Sequence, residues 1–335
     1  MFTTKVRNVC EALPTNLELI LWNGELRESR AGTVRVLPAP LMTVMSHPCE
    51  RVLFSSVRDA NPFFHMVEAI WMLAGRNDAS TLNHYVRDFG NRFAENDGKI
   101  HDAYGRRWRT AFGFDQLDVV VQKLIENPDD RQCVIAMWDP TPNGLGAEND
   151  LCGEWQTRPC NTHIYLRVRE DVLDMTVCCR SNDMIWGGNG ANAVHFSVLL
   201  EYLAARIDVG VGTMYQLSNN AHVYIKEVER LQSRGGNGRL FCDRYTLESI
   251  KPMPMFTEPS AIDEDVKMFM SWHDNGDNVY VQYANEWFTF TATRAVQAHR
   301  LYRKGELNKA ITAALGIGAP DWRMAAVDWL SRRIK

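Results

Sequence analysis

The chain has 335 residues, 45% of them hydrophobic, with 37 Lys plus Arg against 41 Asp plus Glu. That length and apolar content bury one large core or two modest ones and exclude a disordered chain. A formal charge of −4 gives no net positive field to hold a polynucleotide, so an anionic ligand must meet a local cluster of arginines.

Taken in order, Phe63 to Ala74 (FFHMVEAIWMLA) predicts a largely buried helix with one acid, Glu68, inside it. Residues 115 to 126 predict an amphipathic helix stopped by Asn127-Pro128, and Cys133 to Trp138 a buried strand. Thr162 to Val168 and Val172 to Cys178 are β-rich runs joined by Arg169-Glu170-Asp171, the pattern of a hairpin. Gly187, Gly188 and Gly190 predict a loop feeding a long apolar helix from Ala193 to Arg206. Gln232 to Gly238 and Lys251 to Pro259 read as loops, while Ala295 to Leu315 and Pro320 to Ile334 have helical spacing. The class is α/β (α+β), with no internal repeat or low-complexity tract.

Eight cysteines lack CxxC spacing, and the N-terminal MFTTKVRNVC has no apolar signal core. A reducing cytoplasm is expected. No apolar run reaches the ~18 residues of a membrane span, and neither end carries a lipidation signal, so no membrane partner is expected.

The densest chemistry lies in Arg158-Pro159-Cys160-Asn161, Arg180-Ser181-Asn182-Asp183 and Asn192. A free cysteine titrates near about 8.5, and a neighbouring cation lowers it toward the attacking thiolate. Across the expected hairpin Cys160 meets Arg180, which favours that form. Taken alone, Cys160 also reads as a small core hydrophobe. Cys178-Cys179 suits opposite strand faces better than a metal site, and none is expected. Cys160 and His163 likewise point to opposite faces, against a Cys/His hydrolase. Trp138 reads as a plain core residue and Trp71 equally as a core or a functional one, whereas a buried Glu68 without a partner is costly, so it implies function or a salt bridge.

In order along the chain, Glu68 with Trp71, Asp102 to Arg109 (DAYGRRWR), Asn127 to Arg131, Pro159-Cys160, Arg180-Ser181-Asn182-Asp183, Asn192 and His222-Val223-Tyr224 resemble the successive motifs of the thymidylate synthase superfamily. The resemblance implies that family's fold, a mixed β-sheet packed with long helices. The catalytic core would span 1–230, with a divergent, partly helical region at 231–335 packed on it. It implies that Cys160 adds to carbon 6 of a pyrimidine nucleotide, so that carbon 5 attacks the one-carbon unit of the cosubstrate 5,10-methylenetetrahydrofolate. Arg30, Arg180 and Ser181 would hold the 5′-phosphate, joined by Arg131 from the other subunit of a homodimer. Asn192 would face the base, and His222 and Tyr224 the ribose. Glu68 would order water and move protons near O4. Asp183 and Trp71 would lie toward the folate, with Asp183 in the catalytic set, and Tyr104 would join the proton network near Cys160.

Departures from the synthase pattern refine the expectation. Gln132 replaces the second cross-subunit arginine, the Gly187–Asn192 loop is one residue longer, and Asn220 stands where an aspartate is usual. The tail Arg332-Arg333-Ile334-Lys335 is not the short apolar terminus that closes over folate, and Gly90 falls where the synthases place a shielding tryptophan. Both changes suggest room for water, hence hydroxymethylation as in phage dUMP and dCMP hydroxymethylases, within the host cytoplasm. Asn192 in place of aspartate favours dUMP, although a turned amide leaves dCMP open, and Ser181 resembles the deoxynucleotide enzymes. The alternatives are thymidylate synthase, a dCMP or CMP hydroxymethylase, and a nucleotide-binding protein without activity.

Overall fold

The computed structural model describes residues 1–142, 148–235, 241–276 and 279–334. The loop expected at 232–238 therefore leaves the described residues after Gly235, as does Lys335.

Among the described residues, ten strands form two mixed sheets. They are β1 (Phe2–Val6), β2 (Glu25–Ser29), β3 (Gly32–Val36), β4 (Leu41–Met45), β5 (Val134–Ala136), β6 (Asn161–Arg169), β7 (Val172–Cys179), β8 (Asn182–Asp183), β9 (Gly210–Ser218) and β10 (Ala221–Tyr224). The larger sheet runs β1-β4-β9-β7-β6-β5 and the smaller β2-β3-β10-β8. β7 pairs parallel with β9 and antiparallel with β6. The expected hairpin forms, turned by Glu170 and Asp171 at φ +49° and +57°, where short polar side chains tolerate the left-handed region. Alternation then sets two faces. Met175, Val177, Met214 and Gln216 point into the core, while Tyr165 and Arg167 face outward. The strand expected over 133–138 is only β5, because Met137 and Trp138 both turn their N–H groups onto the Thr162 carbonyl.

The helices are α1 (Val9–Asn23), α2 (Pro62–Leu73), α3 (Ser80–Asn83), α4 (Phe89–Phe93), α5 (Tyr104–Arg109), α6 (Gln116–Glu126), α7 (Asn192–Arg206), α8 (Ile225–Ser233), α9 (Arg244–Leu247), α10 (Ile262–Asn275), α11 (Thr293–Arg303), α12 (Leu307–Leu315) and α13 (Pro320–Ser331). Helix α2 starts where Asn61 caps the N–H groups of Phe63 and Phe64, with Pro62 opening the first turn. Of its residues only Phe64 escapes full burial, because α7 covers one side and α10, α11 and α13 another. The expected helix over 295–315 is two helices, α11 and α12. Gly305 at φ +79° breaks it, and apolar spacing continuing across the break hid this.

The expected glycine loop is instead a wide helical turn over Met184–Ala191, irregular at Asn189 and Gly190, that runs directly into α7. The N-terminal elements β1, α1 and the β2–β3 hairpin were not anticipated from pattern.

Candidate active site

Cys160 lies at the mouth of β6, partly exposed. Its carbonyl accepts from the Arg180 N–H at 2.9 Å, so the hairpin brings the two together as expected. The Arg180 guanidinium is held by the carbonyl oxygens of Pro159 at 2.8 Å and Arg158 at 3.0 Å, and it lies 5.5 Å from the Trp138 ring centre. Arg30, in the β2–β3 turn, adds a second positive field at the thiol. Arg180 pulls toward the thiolate as expected, but it does not dominate. Burial pushes Cys160 above the usual thiol range, outweighing Arg180 and Arg30, and the carboxyls of Asp102 and Asp183 push the same way. The resting nucleophile is a thiol.

Below Cys160, Tyr104 opens α5. That helix packs hard against α2: a Cβ on Gly105 would stand 2.0 Å from the Met72 carbonyl oxygen, so only glycine fits. The Tyr104 phenol is held far above its ordinary pKa by burial and then by Cys160 and Asp102. Asn161 is fully buried beside it and interacts with the phenol, but its amide completes no well-formed hydrogen bond.

Glu68 is buried and bonds His195 Nε2 at 2.8 Å, so the acid has the partner its burial requires. Trp71, one turn on, is 1% exposed. His195 was missed in the sequence; its one signal was a position three residues after Asn192 on a helix, hence the same face.

Asn192 begins α7, and its amide nitrogen donates to Asn182 Oδ1 at 3.4 Å. A Cβ at Gly187 would lie 3.0 Å from that oxygen and 3.1 Å from Asn192 Nδ2, so this glycine lets the two amides meet. Asp183 accepts from the Ile185 N–H at 2.9 Å, and burial raises its carboxyl above the ordinary range. Ser181 follows Arg180, and its carbonyl receives the Cys179 thiol. His222 and Tyr224 share one face of β10, ring centres 5.4 Å apart. His222 Nδ1 lies 3.1 Å from Asn220 Oδ1. Tyr224 feels Asp183, Cys160 and Arg30, which places it in the same cluster.

Arg131 lies outside this cluster. It lies with Tyr165, Arg167, Thr176 and Tyr215 in a groove on the outer face of the larger sheet. Gly90, in α4, packs against α3. Its N–H donates to Asn83 Oδ1 at 2.9 Å, and a Cβ there would meet Ala79 and Asn83, both at 3.2 Å.

Beside Asp183, Trp186 is 46% exposed and backed by the Arg58 guanidinium 4.0 Å from its ring centre. Arg58 is buried with Nη2 unbonded; burial, with Arg230 nearby, lowers it to about 10. Neither residue stood out in the sequence. Among the described residues no group of three His, Cys, Asp or Glu side chains is placed to hold a metal, and no helix is long and apolar enough to cross a membrane.

Comparison with known proteins follows the same lines. The sequence model of the family described as thymidylate synthase matches residues 14–236. The chain is 39% identical over 345 aligned positions to the deoxyuridylate hydroxymethyltransferase of Pseudomonas phage M6, covering 99% of this chain and 95% of that protein. It is 33% identical over 221 positions to the protein of the same name from Bacillus phage SP01, covering 63% and 56%. It is 25% identical over 201 positions to the thymidylate synthase of Francisella philomiragia, covering 58% and 70%. The chain belongs to the thymidylate synthase family.

Proposed function

We propose that this enzyme is a one-carbon transferase that hydroxymethylates carbon 5 of dUMP through a covalent bond from Cys160 to carbon 6. The observation that carries this choice over methylation is the reach of the likeness: the phage M6 hydroxymethyltransferase aligns with nearly the whole chain, including the hundred residues beyond the family match, whereas the synthase does not. Residues 1–230 act as the catalytic core, and 231–335 as a largely helical region packed on α2, in the host cytoplasm.

Cys160 Sγ bonds to carbon 6 and the displaced electron pair spreads over carbon 5 and O4. The Asn192 amide accepts from N3–H and donates to O4, stabilising that charge. Glu68, fixed by His195, moves protons at O4 through ordered water. Arg30, Arg180 and Ser181 grip the 5′-phosphate with Arg131 of a second copy, and His222 and Tyr224 hold the ribose. Tyr104 serves the proton network near the sulfur.

The residues fit methylenetetrahydrofolate as cosubstrate. Trp186 offers an exposed aromatic face and Asp183 a carboxyl for ring N–H groups, while Arg58, buried behind Trp186, supports that face, and Trp71 would back the site from within the core. When bound, that group supplies carbon at the formaldehyde oxidation level.

Mass spectrometry after parallel incubation with dUMP, dCMP and CMP tests the assignment. Addition of CH2O to dUMP, without dihydrofolate absorbance, is expected. Addition of CH2 with dihydrofolate would establish a synthase instead, product only from dCMP or CMP would move the base or sugar, and no product would leave a binding protein.

A further inference from the structure

Cys160 has an acidic neighbour that this scheme leaves without a task. Asp102, two residues before Tyr104, accepts from Thr157 Oγ1 at 2.8 Å, and Thr157 is itself within 3.5 Å of the Phe93 carbonyl. No basic group ion-pairs with Asp102 among the described residues. The two groups whose fields lower its pKa are engaged elsewhere: Arg107 bonds Asp150 at 3.0 Å and His101 bonds Asp150 at 2.8 Å. Burial outweighs their fields and lifts the Asp102 carboxyl above its ordinary range.

The position is electrostatically awkward. Arg180 and Arg30 favour a thiolate at Cys160, while Asp102 opposes it. A neutral side chain could hold Thr157 without that penalty, so the carboxyl makes chemical sense only in a step where Cys160 is not the free nucleophile. Once sulfur is bonded to the nucleotide, it carries no charge to repel.

The polar groups that would hold a water molecule there come from the chain beside Cys160 and beside Asp102. Asn161 is 0% exposed and its amide completes no well-formed hydrogen bond; its interaction partner is the Tyr104 phenol, which feels both Cys160 and Asp102. Buried water needs two to four polar partners; Asn161, next to Cys160 in the chain, Tyr104, and Asp102 two residues before it are the groups that would supply them.

We propose that Asp102 is the general base for the water that completes hydroxymethylation, an inference that rests on the reaction proposed above. The water oxygen bonds to the exocyclic methylene carbon on carbon 5 as Asp102 takes one of its protons. The methylene π pair moves onto carbon 5 and O4; re-forming the C5–C6 double bond then breaks the C6–S bond. Sulfur leaves with its electron pair, and the proton on Asp102 passes to it, restoring the resting thiol. Asn161 and Tyr104 are positioning residues that hold the water.

The test separates the two halves of the reaction in full-length enzyme, with dUMP tritiated at carbon 5, methylenetetrahydrofolate, and 2-mercaptoethanol as an alternative acceptor. In Asp102→Asn, which keeps the Thr157 bond, tritium release should stay within about threefold of wild type, while hydroxymethyl product falls by about 100-fold or more. A thioether nucleotide should accumulate in its place. Thr157→Val, which keeps the carboxyl but frees it, should shift the product ratio in the same direction by about tenfold; it decides the matter if Asp102→Asn does not fold. Equal loss of tritium release and product, or an unchanged ratio, overturns the role of Asp102. Wild-type enzyme making dihydrofolate and dTMP would instead overturn the hydroxymethylase reading, so the two failures are distinct.

Discussion

Asn192 Nδ2 donates to Asn182 Oδ1 at 3.4 Å, and Asn182 Nδ2 donates in turn to Ser218 Oγ at 3.0 Å. This relay leaves Asn192 with its oxygen and one N–H for a base, which match N3–H and O4 of uracil. Turning the amide for cytosine would set two amide oxygens face to face unless Asn182 turned as well. Asn192→Asp should therefore lower kcat/KM for dUMP by about 100-fold or more and raise that for dCMP, because a mismatched polar pair is left unsatisfied. Asn182→Ala should narrow the discrimination while leaving dUMP preferred. Parallel kcat/KM values for the two nucleotides check this; an unchanged ratio in Asn192→Asp would remove Asn192 from the base site.

The raised Cys160 thiol sets a pH dependence. Its thiolate is the minority form at neutral pH, so alkylation by iodoacetamide should accelerate as pH rises, with a midpoint above that of a free cysteine. The fields at the sulfur fix the sign of two shifts. Arg180→Ala should move the midpoint up, since Arg180 lowers the thiol, and Asp102→Asn should move it down, since Asp102 raises it. Rates followed by mass spectrometry of the Cys160 peptide check both. Cys160→Ala should abolish tritium release while nucleotide still binds.

The hairpin that carries Cys160 and Arg180 was legible because two β-rich runs flank a polar turn, and the burial of Glu68 because ten apolar or aromatic neighbours surround one acid in FFHMVEAIWMLA. What escaped was tertiary. His195 became meaningful only when α7 packed on α2, and the thiol pKa depended on burial that no sequence window contains. Gly90 stands where the family pattern places a tryptophan, yet a Cβ there would meet Ala79 and Asn83, a packing of the short α3 and α4 helices that no sequence window shows. The outward strand β2, exposed along its length, gave no apolar signal from which to place Arg30.

Buried imidazoles between α2 and the C-terminal helices should make the fold acid-sensitive. Burial holds His65 well below its ordinary pKa and His299 at about 3. His299 stacks on Tyr85 at 4.5 Å, beside Phe63 and Trp329, with Arg303, His84 and His273 as its charged or titratable neighbours. A folded pKa below the unfolded one means both residues gain stability from staying neutral. That gain is complete above about pH 6.5 and drains away as pH falls, with each unprotonated ring destabilising the fold by up to about 2 kcal/mol at pH 5. Thermal unfolding should show a lower Tm at pH 5 than at pH 7.5, and His299→Phe should lessen the difference. A variant with the full wild-type pH slope would exclude His299 as a contributor.

Arg131 calls for a test of where it acts. It lies at the rim of the outer sheet face, where Tyr165 is 47% exposed, and that face carries Arg167, Thr176 and Tyr215 beside it. A two-fold dimer across such a face would be isologous, so each chain would lend its Arg131 to the other site. Arg131→Ala should raise KM for the nucleotide far more than it lowers kcat, because a phosphate contact binds ground and transition states alike. Mixing that variant with Cys160→Ala then separates the possibilities. If Arg131 acts across the interface, a mixed dimer holds one site with both defects and one intact site. Half the dimers are mixed at equal amounts with random pairing, so about a quarter of the wild-type sites should return at low nucleotide concentration. If Arg131 acts within its own chain, every site with a nucleophile still lacks the arginine, and mixing restores nothing.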